Sequence, residues 1–265
     1  MAATQVEVRP TIDRAWLERA AARDPVTHAF ALWDLDWNPG RIRFFSAVEG
    51  DTTLGYLLVW LGHPRAPVVH WFGAEREAAR LAEWLPRRPC VAIVPEHAVP
   101  FVRAARGAGP TYRELILARE TGGVWVPPDS AKLVRRLSRA DVPALESWAR
   151  RQDDPVTAEY PFLDPDVDVT WGAFESGRLV GAVRAEVRLP RVWVLGGVYV
   201  EPEARGRGWG RELLGAALRG AEGAGATAAL YVREDRSPAR ALYQSVGFRP
   251  VGRRVWVDLG AGLAP

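Results

Sequence analysis

Two stretches of the chain carry the same order of apolar and polar positions. Residues 44–60, FFSAVEGDTTLGYLLVW, and 171–187, WGAFESGRLVGAVRAEV, each read as a strand, a tight polar turn and a second strand. Upstream of them, LERAAARDPVTHAF (17–30) is echoed by LESWARRQDDPVTAEY (145–160). The shared DPVT begins at Asp24 and again at Asp154, and Gly55 matches Gly181, so the offsets are 130 and 126. Near-constant offsets with gaps point to a duplicated fold.

In the second half the periodicity predicts a strand over 132–137 and helices near 141–151 and 155–162, with Ser138 and Asp141 as caps of the first helix. Strands follow at 167–175, 179–188 and 191–200, then a helix over 208–222, a strand over 226–232, a helix over 236–246 and a strand over 248–258. The first half predicts a strand at 66–73, a helix over 74–88, a strand at 90–95, a short helix within 95–109 and a strand over 110–120. The fold class is therefore mixed α/β: two domains, each a mostly antiparallel mixed sheet flanked by helices. Gly122, Gly123, Pro127 and Pro128 mark the break, giving domains 1–127 and 128–265.

Composition narrows the function classes. The 265 residues carry a formal charge of only +3, without a dense basic stripe, so nucleic acid is not the expected partner. Cys90 is the single cysteine, which excludes an internal disulfide and a cysteine metal site, and it reads as a small buried hydrophobe. His28, His63, His70 and His97 lack metal-ligand spacing, so no metal is expected. His70 and Trp71 are candidates for lining an interdomain cleft. No apolar run is long enough for a membrane span and no leader pattern precedes the first domain, so the expected location is cytoplasmic, as a monomer or homodimer.

The chemistry concentrates after residue 192. A β-rich run to Val200 stops at Pro202 and is followed by ARGRGWG (204–210) and an amphipathic helix bearing Leu213, Leu214, Ala217 and Leu218. Gly206, Gly208 and Gly210 let backbone amides approach an anion closely at the positive end of a helix, and a pyrophosphate suits that nest. Arg205, Arg207 and Arg211 are candidates for charge-assisted contacts. The dinucleotide fingerprint fails because Arg211 stands where a third glycine belongs, and no G-K-[ST] follows for a triphosphate loop.

The segment 205–210 resembles the [QR]-x-x-G-x-[GA] motif of the GCN5-related N-acetyltransferase (GNAT) superfamily. Residues 239–248, ARALYQSVGF, resemble its A-x-x-L-Y-x-x-x-G-F motif, with wording similar to the FR47-like subgroup. The resemblance extends over about 170–259. It implies transfer of an acetyl or related acyl group from acetyl-coenzyme A to a primary amine, on a small molecule, an amino acid or a protein N-terminus, without a covalent enzyme intermediate. It further implies pantetheine held by the backbone of Val198, Tyr199 and Val200, and phosphates by the loop from Arg205 through Gly206, Arg207, Gly208, Trp209 and Gly210 to Arg211. Tyr243 stands at the position of the family's general acid. The base that many relatives carry on the strand before the loop is missing from RVWVLGGVYV, and Glu186 on the neighbouring strand is the candidate. Glu159, Tyr160, Asp164 and Asp166 fall where the family walls its acceptor pocket. Arg236 replaces the family's usual Asn three residues before Ala239; both are counted with the cofactor contacts. The first half lacks both motifs and is expected to be a degenerate copy that completes the sheet or walls the acceptor site. A non-catalytic acyl-coenzyme A sensor or scaffold is the alternative reading.

Overall fold

The computed structural model describes residues 5–119, 133–152 and 168–263. The predicted helix at 155–162, the residues Glu159, Tyr160, Asp164 and Asp166, and the second DPVT lie outside them. The chain forms two compact units, Met1–Leu115 with Gly252–Pro265, and Ile116–Val251.

In the first unit, β1 (Glu7–Arg9), β2 (Ile42–Glu49), β3 (Thr52–Trp60), β4 (Val68–Phe72) and β5 (Cys90–Val94) neighbour one another in that order, and β12 (Arg249–Leu259) follows β5. Only β4 and β5 among these run parallel, from Val68↔Val91 to His70↔Ile93, joined through helix α3 (Glu75–Ala82). The halves expected at 127/128 keep the last strand with the second half, whereas the compact units place Gly252–Pro265 in the first. There β12 pairs antiparallel with β5 from Val255↔Val94 to Leu259↔Cys90, and Val255, Val257 and Leu259 join the core of Leu57, Val69, Leu81 and Ala92. Helix α3 is shorter than the predicted 74–88, because the amides of Trp84 and Leu85 turn back onto Leu81 and Ala82. Helices α1 (Arg14–Arg23) and α2 (Ala29–Trp37) cover the other sheet face around Leu17, Ala31, Tyr56 and Leu58. The short helix expected within 95–109 is α4 (Val99–Arg106), and β6 (Thr111–Arg119) follows it.

His28 lies inside that aromatic core at 2 % exposure, with Nδ1 3.0 Å from the Tyr56 hydroxyl, and burial pulls its pKa down to about 4. An unfolded histidine takes up its proton near 6.5, before the folded one does. Stability is therefore expected to fall as pH drops from 6.5 toward 4, by up to about 3 kcal/mol for this group. Thermal unfolding across that window measures the slope, and His28→Phe should flatten it.

In the second unit, β11 (Thr227–Arg233), β10 (Val192–Val200), β9 (Arg178–Arg188), β8 (Val169–Glu175) and β7 (Leu133–Arg136) neighbour one another in that order. All their pairings are antiparallel except β10 with β11, which helix α6 (Trp209–Gly223) connects. The α6 stripe of Leu213, Leu214, Ala217 and Leu218 is buried, as its 3.6-residue spacing requires. Helix α5 (Val142–Arg151) buries Leu145, Trp148 and Ala149 against Leu137, Leu179 and Ala182. At its start the Asp141 carboxylate accepts from Ser138 N at 2.8 Å and is gripped by Arg135, which holds it well below the ordinary carboxylate range. Helix α7 (Ser237–Ser245) buries Tyr243.

The β4–α3–β5 and β10–α6–β11 segments are the same motif, and one close approach recurs in both. A Cβ on Gly55 would meet the Phe72 carbonyl oxygen at 2.5 Å, and one on Gly181 would meet the Tyr199 carbonyl oxygen at 2.8 Å. These are the two glycines that the internal echo aligned.

Candidate active site

The site begins with a parting of strands. The parallel register of β10 with β11 runs from Val192↔Thr227 to Leu195↔Leu230, although β10 continues to Val200 and β11 to Arg233. The pairing of β10 with β9 shows why. From Gly196↔Arg184 to Tyr199↔Ala182, β10 advances three residues against two, a bulge with Gly197 at φ 60°. A bulge bends its strand and twists it away from a partner, so the doublet Gly196–Gly197 opens the gap beside Val198–Val200.

A second irregularity faces the first. From Val194↔Val187 to Leu195↔Ala185, the extra residue is Glu186 on β9. Its side chain swings across to β10. A Cβ on Gly196 would stand 2.0 Å from Glu186 Oε1, so the carboxylate occupies the place that a side chain at 196 would take. Arg184 donates to the same oxygen through Nε at 3.1 Å and Nη2 at 2.9 Å. The strand that lacks a carboxylate in sequence thus receives one from its neighbour.

After β10, a 3-10 turn over Pro202–Ala204 leads into the loop. Gly206 and Gly208 have φ of 75° and 83°, and Gly208 is the N-cap of α6 in the left-handed region. L side chains are disfavoured there, which is the physical need for glycine at 206 and 208; Gly210 lies inside α6, where a Cβ would meet Leu242 at 2.9 Å. The amides of Arg211 and Glu212 already donate to the Gly208 carbonyl at 3.1 and 3.2 Å. Gly206, Gly208 and Gly210 carry no side chain to cover the backbone at this helix start.

Arg205 and Arg207 have structural partners. Arg207 grips Glu175 at 2.8 and 2.9 Å and the Glu203 carbonyl at 2.7 Å. Arg205 Nε donates to the Val200 carbonyl at 2.9 Å and its guanidinium lies 5.3 Å from the Tyr199 ring centre. Trp209 is buried, so its backbone alone faces the loop. Glu201, unremarked in sequence because it falls just past the strand, is buried at 2 % exposure and receives Arg178 at 2.7 Å and Gln152 at 3.1 Å. It ties the loop to β9 and to the end of α5.

Tyr243 sits at 8 % exposure beside Phe248, and burial pushes its pKa up to about 12. The close approach of Gly210 to Leu242, 2.9 Å from a Cβ placed at 210, brings the start of α6 against the helix that carries Tyr243. Arg236 is the exposed N-cap of α7, and its carbonyl accepts from Arg240 N at 3.0 Å, while Ala239 lies within the helix. The structure thus groups Gly196, Glu186, Val198–Val200 and the glycine loop along one strand end. The missed signal was the glycine doublet inside a β-rich run, which marks a bulge.

The first unit has the same helix placement but a different start. Only Gly73 and Ala74 separate β4 from α3, and the Glu77 carboxylate, buried at 1 % exposure, turns back to accept the Ala74 amide.

Residues 133–248 match the family described as acetyltransferase (GNAT). The mycothiol acetyltransferase of Streptomyces coelicolor is 39% identical over 114 residues, 40% of this chain and 34% of that protein. This chain therefore spans about a third of the length of that curated relative. A solved Drosophila protein superposes with a TM-score of 0.71 at 17% identity, covering 97% of this chain and 99% of that one. A tandem GNAT protein from the clavulanic acid biosynthesis pathway gives 0.61 at 19% identity, over 98% of this chain and 100% of that one. At such identities the structural likeness speaks for the fold, which is that of GNAT acyltransferases in tandem. The likeness to the GNAT acetyltransferase family is thus carried by residues 133–248, and the fold of the chain agrees with it.

Proposed function

We propose that this protein moves an acetyl or related acyl group directly from coenzyme A to a primary amine. The observation that carries the reading is the parting of β10 from β11 beyond Leu195↔Leu230, ahead of a loop with left-handed glycines at the start of α6. In this reading the amides of Gly206, Gly208 and Gly210 hold the pyrophosphate, and the pantetheine lies in the gap along the backbone of Val198, Tyr199 and Val200. Arg205 moves off the Val200 carbonyl as the donor enters. Arg207, Trp209 and Arg211 serve the loop through their backbone and through the ties that shape it, and Arg236 and Ala239 lie at the start of α7.

Glu186 is the proposed base. The amine nitrogen attacks the thioester carbonyl carbon, the C–S bond breaks, and the nitrogen gives its proton to the carboxylate placed over Gly196. The net reaction carries that proton to the departing sulfur. With a pKa near 12 Tyr243 keeps its phenolic proton at neutral pH. Full transfer from it to a thiolate of pKa about 8.5 is uphill by roughly 5 kcal/mol. Its assigned part is a hydrogen bond to the developing thiolate, a contact worth about 1.5–3 kcal/mol. Tyr243→Phe should then lower kcat about tenfold to a hundredfold with the KM for acetyl-coenzyme A unchanged.

The test is release of free coenzyme A thiol against a panel of amines. Tight binding of acetyl-coenzyme A without turnover on any amine would instead favour a sensor.

The first unit is proposed to be a copy that no longer binds the donor. What supports this is Glu77, whose carboxylate sits at the start of α3 where the second unit presents its loop amides. Calorimetric titration should give one acetyl-coenzyme A per chain, and a stoichiometry of two would overturn the proposal.

A further inference from the structure

The sheet face that carries Glu186 changes character along its strands. Gly172, Ala182 and Tyr199 stand in register across β8, β9 and β10, where Leu137, Leu145, Trp148 and Leu179 make an apolar cluster. Two residues further along β8 and β9, and three along β10 through its bulge, Thr170, Arg184 and Gly196 stand in register, and the Glu186 carboxylate fills the place over Gly196. The apolar row is thereby followed by a hydroxyl, a guanidinium and a carboxylate side by side.

Thr170 is 4 % exposed, and its hydroxyl is buried without a hydrogen-bond partner among the described residues. Leaving such a group unsatisfied is costly, and a fold that keeps it suits a partner supplied from outside. Beside it, the Arg184 side chain is 14 % exposed and that of Glu186 24 %. Thr170 and Gly196 lie one strand to either side of Arg184, so the hydroxyl and the carboxylate are about 9.5 Å apart by strand spacing. That span takes one small molecule with a hydrogen bond at each end.

We infer that the acceptor is an amine with a carboxylate beside it, the arrangement of a free α-amino acid. The carboxylate is received by the Thr170 hydroxyl and the Arg184 guanidinium, and the amine faces Glu186. A protein N-terminus or a simple monoamine offers no anion to this end of the row and leaves Thr170 unsatisfied. The inference rests on the acyl-transfer reading and names its substrate class. Arg184 and Thr170 are specificity residues in it, since both touch the part of the acceptor that does not react.

The experiment uses matched sets: a free L-amino acid, its carboxamide and its decarboxylated amine. Each is assayed for thiol release with acetyl-coenzyme A and titrated calorimetrically into the full chain saturated with coenzyme A. The expected result is at least a tenfold preference in kcat/KM for the acid over its amide. Arg184→Gln should bring that ratio toward one by raising the KM of the acid, with the KM of acetyl-coenzyme A held. Arg184→Lys should keep part of it. Thr170→Val should reduce the ratio severalfold, and Thr170→Ser should preserve it. Amides or amines that react as well as the acids overturn the inference and leave acyl transfer standing. Preferential binding of the acid without turnover upholds the carboxylate site and sinks the transfer reading. No turnover and no preference in binding removes both.

Discussion

Glu186→Gln is expected to lower kcat by about two to four orders of magnitude, the usual range for losing a general base, while the Kd for acetyl-coenzyme A stays within about twofold. The carboxylate lies on the strand next to the proposed donor gap and outside the loop proposed to hold the phosphates, which separates chemistry from donor binding. Glutamine keeps the shape and the hydrogen bond from Arg184 but accepts no proton. A companion variant tests placement with the base intact. In Gly196→Ala the new Cβ would stand 2.0 Å from Glu186 Oε1, so the carboxylate must leave the strand end. A large fall in kcat in both variants, with donor affinity kept, supports the assignment. Normal turnover in Glu186→Gln sends the base to another group.

Gly206→Asp is expected to weaken acetyl-coenzyme A binding by at least about thirtyfold, whereas Gly206→Asn weakens it only a few-fold. At φ 75° with nothing within 4 Å of a Cβ, position 206 has room for a side chain, and Asn and Asp tolerate its backbone better than other L residues. The two variants therefore fold alike and differ in charge. Two unit charges about 4 Å apart near a protein surface interact by about 4 kcal/mol, and halving this for exposure leaves roughly 2 kcal/mol, or about thirtyfold. Turnover at saturating donor should change little in either. Equal donor affinities for the two variants would falsify phosphate binding at this loop.

Much of this molecule is legible in its sequence because the physics involved is local. The stripe of Leu213, Leu214, Ala217 and Leu218 declares α6, and the alternating glycines ahead of it declare a backbone that L side chains resist; the structure holds both. The paired Gly55 and Gly181 foreshadow two units with one close approach each. The expected span of α3 is too long, since good helix formers end at Leu85 before Pro86 and the chain already turns back at Trp84 and Leu85.

What stayed hidden depended on partners far apart in the chain. No pattern in GRLVGAVRAEVR says that Glu186 is the extra residue of a bulge, and Gly196 in VWVLGGVYV reads as a weak strand position. Only the register of β9 on β10 shows that the vacancy at one is filled by the carboxylate of the other. The same holds for β12, whose alternation marks it as a strand without naming β5 as its partner, and for Glu77, an ordinary helix acid until its fold back onto Ala74 is seen. Sequence by itself determined most of the elements, the glycine loop ahead of α6 and the GNAT resemblance, because each is set by residues within a few positions of one another. The tertiary structure decided which carboxylate stands at the strand end, which unit keeps an open loop and where the last strand belongs. Those depend on strand register and packing, which bring together groups that are separate along the chain.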